Sequence, residues 1–252
     1  MMYEERDNQD LVYGIRATLE AIESGKEVSK VLIRKGLKSD VFHELYQAVK
    51  DANIPFQLVP ADYFRKFPGK NHQGVVSMIS PIEFQSLEEV LARVFEKGEE
   101  PFFIILDKIS DVRNFGAICR TAECSGVHAI IVPAKGAASI NSDAIKTSAG
   151  ALHHLPVCRE NNLKKTINLL KMSGLKVFGA SEKSSQLYFE QNLTGPIAIL
   201  MGAEDTGIAP EHRVLCDGEL KIPIQGKIGS LNVSVATGVL CFEIVRQRIA
   251  SS

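Results

Sequence analysis

The sequence lacks the marks of a secreted or membrane-bound protein. Its five cysteines are an odd number and form no CxxC pair, which favours reduced, buried thiols over a disulfide framework. The first ten residues, MMYEERDNQD, are acidic and polar, whereas a secretory leader needs a basic start followed by an apolar core. The longest apolar stretch, 231–245, is interrupted by polar side chains and falls short of the ~20 apolar residues of a membrane span. We therefore expect a cytoplasmic protein without a membrane anchor.

The sequence also has no excess of charge of either sign. Its 252 residues hold 29 Lys and Arg against 30 Asp and Glu, and a net charge of −1 gives no overall attraction for a polyanion. Nucleic-acid binding would therefore need a local patch, and the segment 26–38 is a candidate because it holds five basic residues and a single acidic one. A phosphate-binding strip and an ordinary solvated surface are both open interpretations. The basic residues are Lys26, Lys30, Arg34, Lys35 and Lys38.

Motifs of three common enzyme classes are missing. The strand-like run FFIILD (102–107) is followed by KISDVRNFG rather than GxGxxG, which disfavours a dinucleotide site. None of the three GK pairs, at 25, 69 and 226, has a glycine five positions before it, so there is no Walker A phosphate loop. His153 and His154 are adjacent rather than spaced as in HExxH, and no Cys/His cluster accompanies them, so we expect no bound metal.

Hydrophobic periodicity predicts two α/β domains. Residues 1–83 combine helices, the first over 11–25, with short strands in a compact unit. Residues 84–100 combine a short amphipathic helix with a charged, glycine-containing exit, which is typical of an interdomain linker. Residues 101–252 alternate apolar strands with helices, which is typical of a parallel sheet covered on both faces, with its ligand site at the carboxyl ends of the strands. The expected strands are 102–107, 128–133, 155–158, 176–180, 196–202 and 219–224.

Three loops at these strand ends are rich in Gly, Asn, Ser and Glu, which are residues that let backbone amides approach a ligand. They are LDKISDVRNFGAICRTA (106–122), LMGAEDTGIAP (200–210) and IPIQGKIGSLNVSVATG (222–238). Each has a plain structural interpretation: Asn232 can cap the last helix, and Arg120 can form a surface ion pair. Together, however, the three loops hold more polar side chains than turns normally require.

The three loops resemble the signature motifs of the SpoU/TrmH family of RNA ribose 2'-O-methyltransferases, within the SPOUT superfamily. The N-terminal YGIRATLEAI and NHQGVV segments resemble the substrate-binding domain of the RlmB-like branch, so the resemblance covers nearly the whole chain. Val112 stands where the first motif usually has a proline, a departure that could loosen the loop before Asn114. The matching residues are Asn114, Gly116 and 120–122 in the first motif, 202–204 and Gly207 in the second, and 222–223 with 230–234 in the third.

The resemblance implies a trefoil-knotted α/β catalytic domain with a mostly parallel sheet, preceded by a small α/β substrate-binding domain. Physical rules alone predict an unknotted sheet, because knots are nearly absent among folds. The resemblance further implies a homodimer through the catalytic domain and S-adenosylmethionine (AdoMet) as cofactor.

By the same resemblance, the catalytic residues are Asn114, Arg120, Glu204, Ser230 and Asn232. Arg120 would activate the ribose hydroxyl electrostatically, because a guanidinium stays protonated. Asn114 would orient the ribose or Arg120, and Glu204 would fix the geometry of the loop or the arginine. The expected cofactor contacts are Ala180, Ser181, Leu200, Met201, Gly202, Glu204, Ile222, Pro223, Ile224, Ser230, Leu231 and Asn232.

RNA is the expected partner, with Lys30, Arg34, Lys35, Lys38 and His72 as its candidate contacts in the first domain. The function expected is AdoMet-dependent 2'-O-methylation, with a guanosine of 23S ribosomal RNA as the acceptor. A tRNA methyltransferase of the same family is one alternative, and a non-catalytic RNA-binding factor of ribosome assembly is another.

Overall fold

The computed structural model describes residues 11–251, and the acidic segment 1–10, on which the expectation of no leader depends, lies outside them. Contacts divide the chain into two units after Glu83, except that the short segment Ile140–Ser142 groups with the first unit. The first holds a four-stranded sheet in the order β1-β4-β2-β3. Its elements are β1 (Leu11–Tyr13), α1 (Ile15–Glu23), β2 (Val28–Arg34), α2 (Asp40–Asp51), β3 (Phe56–Val59), a 3-10 helix (Ala61–Lys66) and β4 (Val75–Ile79).

The predicted first helix, 11–25, is wrong at its start. Leu11–Tyr13 form a strand that pairs antiparallel with β4, and α1 begins only at Ile15. Gly14 separates the two elements at a φ of 102°, a conformation that side-chain-bearing residues rarely adopt. Leu11 and Ile15 have the four-residue spacing of a helix, but they belong to a strand and to the helix that follows it.

The second unit holds a six-stranded sheet in which every pairing is parallel, in the order β10-β8-β9-β5-β6-β7. This confirms the predicted α/β class, while the knotted chain path stays a prediction. The strands are β5 (Phe102–Asp107), β6 (Ala129–Pro133), β7 (Val157–Glu160), β8 (Lys176–Ala180), β9 (Ile197–Gly202) and β10 (Gly218–Leu220). The helices are α3 (Leu87–Glu96), α4 (Val112–Cys124), α5 (Ser142–Thr147), α6 (Leu163–Met172), α7 (Pro210–Arg213) and α8 (Val233–Ser251).

The segment expected as a linker, 84–100, is instead part of this second unit. Its helix α3 buries four apolar side chains, Leu87, Val90, Leu91 and Val94, in the same core as the central strands. The charged residues that suggested a linker lie on the opposite, solvent-facing side of α3. Composition alone misled here because an amphipathic surface helix and a helical linker have similar residue content.

The cysteines fit the expectation of reduced thiols. All five are free, and Cys119, Cys158 and Cys241 are buried. Burial raises the pKa of Cys158 and Cys241 to about 12 and that of the half-buried Cys216 to about 11. These thiols therefore remain protonated at neutral pH and are poor nucleophiles.

A substitution in α3 distinguishes a core helix from a linker. Leu87→Ala should lower the free energy of unfolding by about 2–5 kcal/mol, because it leaves a cavity beside the central strands. Hydrogen exchange of the β5 amides measures the loss as reduced protection. Phe95→Ala on the same helix is the control, since Phe95 is 44% exposed and should change protection little. Unchanged β5 protection in Leu87→Ala would contradict the assignment of α3 to the core.

Candidate active site

The three loops singled out in the sequence follow neighbouring strands. β9 lies between β8 and β5 at the centre of the parallel sheet, so the carboxyl ends of these strands lie side by side. The loops after β5 and β9 begin at this edge, and the segment after β10 reaches it before α8 begins at Val233. Because parallel strands end at one edge, residues far apart in sequence meet there.

A cavity of about 650 Å³, counting space open to solvent, lies at this edge. Its walls combine apolar side chains with backbone and a few polar groups, as is usual for small-molecule sites. Most of the predicted cofactor contacts line it, while Leu200 is buried in the core and Pro223 and Asn232 are not among the lining residues. The lining residues are Ala180, Ser181, Glu182, Met201, Gly202, Ala203, Glu204, Gly207, Leu220, Ile222, Ile224, Ser230, Leu231, Val233 and Ala236.

Six of these residues were not among the predicted cofactor contacts, although Ala203, Gly207 and Val233 belong to the recognised motifs. Glu182, Ala203, Gly207 and Leu220 are close neighbours in sequence of predicted contacts, so a wider window would have included them. Val233 and Ala236 lie in the first turn of α8, three residues apart, which places both on the same side of the helix. The expected strand 219–224 ends at Leu220, and Ile222 and Ile224 are thereby free to face the cavity.

The turn after β9 is built on a close backbone approach. A Cβ atom on Gly202 would lie 2.2 Å from the carbonyl carbon of Gly207 and from the amide nitrogen of Ile208. The Gly207 amide donates to the Ala203 carbonyl at 2.8 Å, and Gly207 has a φ of 66°. Only glycine fits at Gly202, so this position determines the shape of the 203–207 loop that borders the cavity.

Side chains from all three loops meet in one hydrogen-bonded cluster. The Asn232 amide nitrogen donates to Glu204 Oε1 at 2.6 Å and to Asn114 Oδ1 at 2.9 Å. The Asn114 amide nitrogen donates to Glu204 Oε1 at 3.4 Å, and the Val233 amide donates to the same oxygen at 3.3 Å. The Ser234 hydroxyl donates to Asn232 Oδ1 at 2.6 Å. A single carboxylate thus joins the three motifs.

The first loop keeps its geometry despite Val112. α4 begins at Val112, and its N-cap residue Asp111 accepts a hydrogen bond from the Asn114 amide at 2.7 Å. A proline at this first helical position would preset the φ angle. It would not change the hydrogen bonds of the helix, because the first amide of a helix has no partner within it. The cap thus holds the Asn114 backbone without a proline, while the effect of Val112 on the mobility of this loop stays a prediction.

Arg120 is the exception among the predicted catalytic residues. It lies six residues beyond Asn114 on α4, which is roughly 9 Å along the helix axis and on another side of the helix. Its side chain is exposed and is absent from the lining of the cavities described in residues 11–251. Since no hydrogen bond joins Arg120 to Asn114 or Glu204 in residues 11–251, the roles that this chain leaves for these two are to orient the ribose and to fix the loop, and both stay predictions. Ser230 lines the cavity but has no hydrogen bond to the Glu204 cluster.

A second cleft opens on the other side of the 203–207 loop. It encloses about 1540 Å³, again counting open solvent, and shares Ala203, Glu204, Gly207 and Val233 with the first cavity. Asn114 lines this cleft as well. The Glu204 cluster therefore lies between two spaces, an arrangement suited to two reactants that meet at one point.

A buried carboxylate holds the segment at Ala209, which lines the second cleft. Asp107, at the end of β5, is only 1% exposed and accepts hydrogen bonds from the Ala209 amide at 2.8 Å and from His212 Nδ1 at 2.9 Å. These bonds tie the loop before α7 to the central sheet. A buried carboxylate needs such partners, and here they give it a structural task.

The RNA-contact candidates of the first unit fall into two groups. Lys30 lies within β2, opposite Met78 of β4, and its side chain is half-buried. Arg34, Lys35 and Lys38 lie at and beyond the end of β2 and are exposed. His72 lies near this same end, where its Nδ1 accepts from the Gly74 amide at 2.9 Å and its ring stacks on Phe64.

Residues 11–251 offer neither a metal site nor a membrane-spanning helix. No group of three or more His, Cys, Asp or Glu side chains in this range could hold a metal ion. Within the same range, none of the helices has the length and hydrophobicity needed to cross a membrane.

Comparison with known proteins decides the family. Residues 101–242 match the SpoU rRNA methylase family, and residues 11–85 match the RNA 2'-O ribose methyltransferase substrate-binding family. The chain belongs to the SpoU rRNA methylase family. The two matched regions correspond to the two units of the structure, and the larger one contains the cavity and the Glu204 cluster.

Relatives in this family span nearly the full chain. RlmB of Escherichia coli (strain K12), a 23S rRNA (guanosine-2'-O-)-methyltransferase, is 35% identical over 95% of this chain and 99% of its own. YacO of Bacillus subtilis, a TrmH family protein, is 32% identical over 95% of this chain and 96% of its own. The crystal structure of the SpoU methyltransferase AviRb from Streptomyces viridochromogenes, in complex with the cofactor AdoMet, has a TM-score of 0.60 and 27% identity, covering 95% of this chain and 90% of AviRb.

The close approach at Gly202 gives a stability prediction. Gly202→Ala should lower the free energy of unfolding by roughly 1–3 kcal/mol, because the 203–207 loop must move away from the new methyl group. Urea denaturation measures this change. Gly226→Ala is the control, since its new Cβ would have no neighbour within 4 Å. Equal stability of the two variants would show that the loop does not depend on the contact.

Proposed function

We propose that the protein transfers a methyl group from AdoMet to a ribose 2'-hydroxyl of RNA, with a guanosine of 23S ribosomal RNA as the acceptor. The observation that carries this proposal is the junction of Asn114, Glu204 and Asn232 between two cavities. Family membership and the RlmB relative support the reaction and the acceptor. An enzyme with this substrate works in the cytoplasm, which we propose as its location.

The first cavity fits AdoMet. Apolar walls formed by Met201, Ile222, Ile224 and Leu231 suit the faces of an adenine ring, and the adjacent backbone can bond its edge. Carboxylates at Glu182 and Glu204 suit the positive charges of a sulfonium and an amino group. When bound, AdoMet supplies an electrophilic methyl group on sulfur. We propose that Ala180, Ser181, Gly202 and Ser230 complete its site.

The second cleft would receive the ribose. Asn114 lines it and belongs to the Glu204 cluster, so it can hold a sugar hydroxyl beside the first cavity. Positioning of this kind contributes most of the acceleration in a displacement between two bound reactants, and a methyl transfer from sulfonium needs no metal. The acceptor hydroxyl must also lose its proton as the new bond forms.

We propose Arg120 as the residue that activates this hydroxyl. A guanidinium remains protonated at working pH, so it cannot take the proton, which would pass to a phosphate of the substrate. Arg120 would stabilise the developing negative charge on the 2'-oxygen and anchor that phosphate. Within one chain Arg120 is exposed and does not line the first cavity. A second copy of the chain could bring it there.

An exposed apolar stripe on α8 supports a homodimer. Val235, Phe242 and Ile249 recur every seven residues and are 52%, 51% and 72% exposed, while the opposite side of α8 is buried. A helix that is apolar on both sides is normally covered on both. Thr121, next to Arg120, lies 3.5 Å from the position of a Cβ on Gly238, between Val235 and Phe242. Arg120 is thus an exposed residue of a helix that packs against the helix carrying the stripe, and we propose that each protomer offers its Arg120 to the partner's site.

The proposed reaction is tested by methyl transfer in vitro. The full-length protein, labelled AdoMet and an unmethylated 23S rRNA transcript should yield labelled 2'-O-methylguanosine after nuclease digestion. Transfer to the base instead of the ribose, or transfer to tRNA alone, would contradict the proposal. Absence of transfer together with absence of AdoMet binding in calorimetry would favour a non-catalytic RNA-binding factor.

Arg120→Ala should abolish methyl transfer, by at least about a hundredfold, and leave AdoMet affinity unchanged, because the side chain lies outside the first cavity. Calorimetry and the transfer assay measure the two effects. Arg113→Ala, which removes an exposed arginine from the same helix, is the control. Normal turnover of Arg120→Ala would remove the residue from the mechanism.

Mixing inactive variants tests whether Arg120 acts across the dimer. Arg120→Ala and Glu204→Ala, unfolded and refolded together in equal amounts, should recover about a quarter of wild-type activity, since half of the dimers would carry one intact site of two. If Arg120 acts within its own chain, the mixture would stay inactive.

A further inference from the structure

One end of the sheet in the first unit collects several chain segments. β1, β2 and β3 all run toward this end, and β4 begins there. Three backbone hydrogen bonds hold the segments together: Gly14 to the Val75 carbonyl at 3.0 Å, Arg34 to the Gly74 carbonyl at 2.8 Å, and Lys35 to the Val59 carbonyl at 2.9 Å. Residues from 13–16, 34–38 and 60–74 are thus neighbours.

This end is strongly basic. Six cationic side chains are exposed on it, and none of them forms an ion pair with an acidic side chain in residues 11–251. Three acidic residues are nearby: Asp62, which pairs with Arg65 at 3.0 Å, Asp40 in the first turn of α2, and Glu20, one turn after Arg16 on α1. No described side chain caps the N-terminus of α1, whose dipole adds positive potential. The six residues, which we call the basic end, are Arg16, Arg34, Lys35, Lys38, Lys66 and Lys70.

The basic end differs from the strip expected from the sequence. Lys26 precedes β2, and Lys30 lies within it, so both belong to the other part of the sheet. Arg34 lies four residues beyond Lys30, roughly 13 Å along the strand. The basic end therefore lacks Lys26 and Lys30 of the expected strip. It holds instead Arg16, Lys66 and Lys70, which are distant from Arg34 in the sequence.

Two of these lysines are held in place by aromatic rings. Lys66 Nζ lies 4.2 Å from the centre of the Tyr63 ring, and Lys70 Nζ lies 5.5 Å from that of Tyr13. Tyr13 in turn packs edge-on against Phe67 at 5.8 Å. Such contacts restrict the ammonium groups before a ligand arrives, which reduces the entropy lost on binding.

We propose that the basic end is the surface by which the first unit binds the phosphate backbone of the substrate RNA. Clustered unpaired cations, held at the surface of a chain with no overall positive charge, fit a polyanion better than any other partner. The match of this unit to a substrate-binding family agrees with that partner. The inference rests on the proposed function for the identity of the RNA.

The experiment compares two double variants with equal loss of charge. Lys66→Ala/Lys70→Ala removes two cations of the basic end. Lys26→Ala/Lys50→Ala removes two exposed cations from the opposite end of the sheet, where α2 finishes and β3 begins. The control pair also resembles the test pair in its local contacts. Lys50, like Lys66 and Lys70, lies over a tyrosine ring, with its Nζ 4.4 Å from the Tyr46 ring centre. Binding of an unmethylated 23S rRNA transcript to the full-length protein is measured between 50 and 200 mM salt, with AdoMet affinity as a check of folding.

Lys66→Ala/Lys70→Ala should weaken RNA binding and reduce the slope of log affinity against log salt by about 2, roughly one for each lost phosphate contact. The Lys26→Ala/Lys50→Ala slope should equal that of the wild type. Equal slopes for both variants, or a larger loss in the control, would overturn the inference. If the wild type binds this RNA but does not methylate it, the proposed function fails while the comparison of slopes still decides the surface.

Discussion

The candidate site depends on one carboxylate. Glu204 Oε1 accepts hydrogen bonds from the Asn232 and Asn114 side chains and from the Val233 amide, so that three loops separated by up to 118 residues share one oxygen. Hydrogen bonds to an ionised acceptor are about twice as strong as neutral ones. Without this junction the loops would keep the Asn232–Asn114 and Asp107–Ala209 hydrogen bonds, but the 203–207 turn would lose its side-chain contacts with Asn114 and Asn232 beside both cavities.

The parallel sheet explains why such a junction can form. β5, β8 and β9 are adjacent, and their carboxyl ends deliver the first and second loops to the same edge. Gly202 then permits the tight 203–207 turn that separates the two cavities, and Asp107 anchors the chain that follows it. The rigid core thus sets the position of the polar groups, and the loops carry the chemistry.

Sequence patterns predicted the class of the fold, most strand positions and the three loops of the site, because buried parallel strands and their polar ends leave strong local signals. They failed where the answer depends on distant contacts. Local patterns also do not say whether Arg120 serves its own chain or a partner, because that depends on the dimer that we propose. The assignment of α3 to the core and the assembly of Lys66 and Lys70 beside Arg34 both depend on chain segments that meet only after folding.

A double-mutant cycle at Glu204 and Asn232 tests the central claim most directly. AdoMet affinity is measured by calorimetry for Glu204→Ala, Asn232→Ala and the double variant. If the shared hydrogen bonds shape the cavity, each single variant should weaken binding and the double variant should bind little worse than either, with a coupling energy of about 0.5–3 kcal/mol. Losses that simply add would contradict the claim, since they would show that the two loops support the cavity independently.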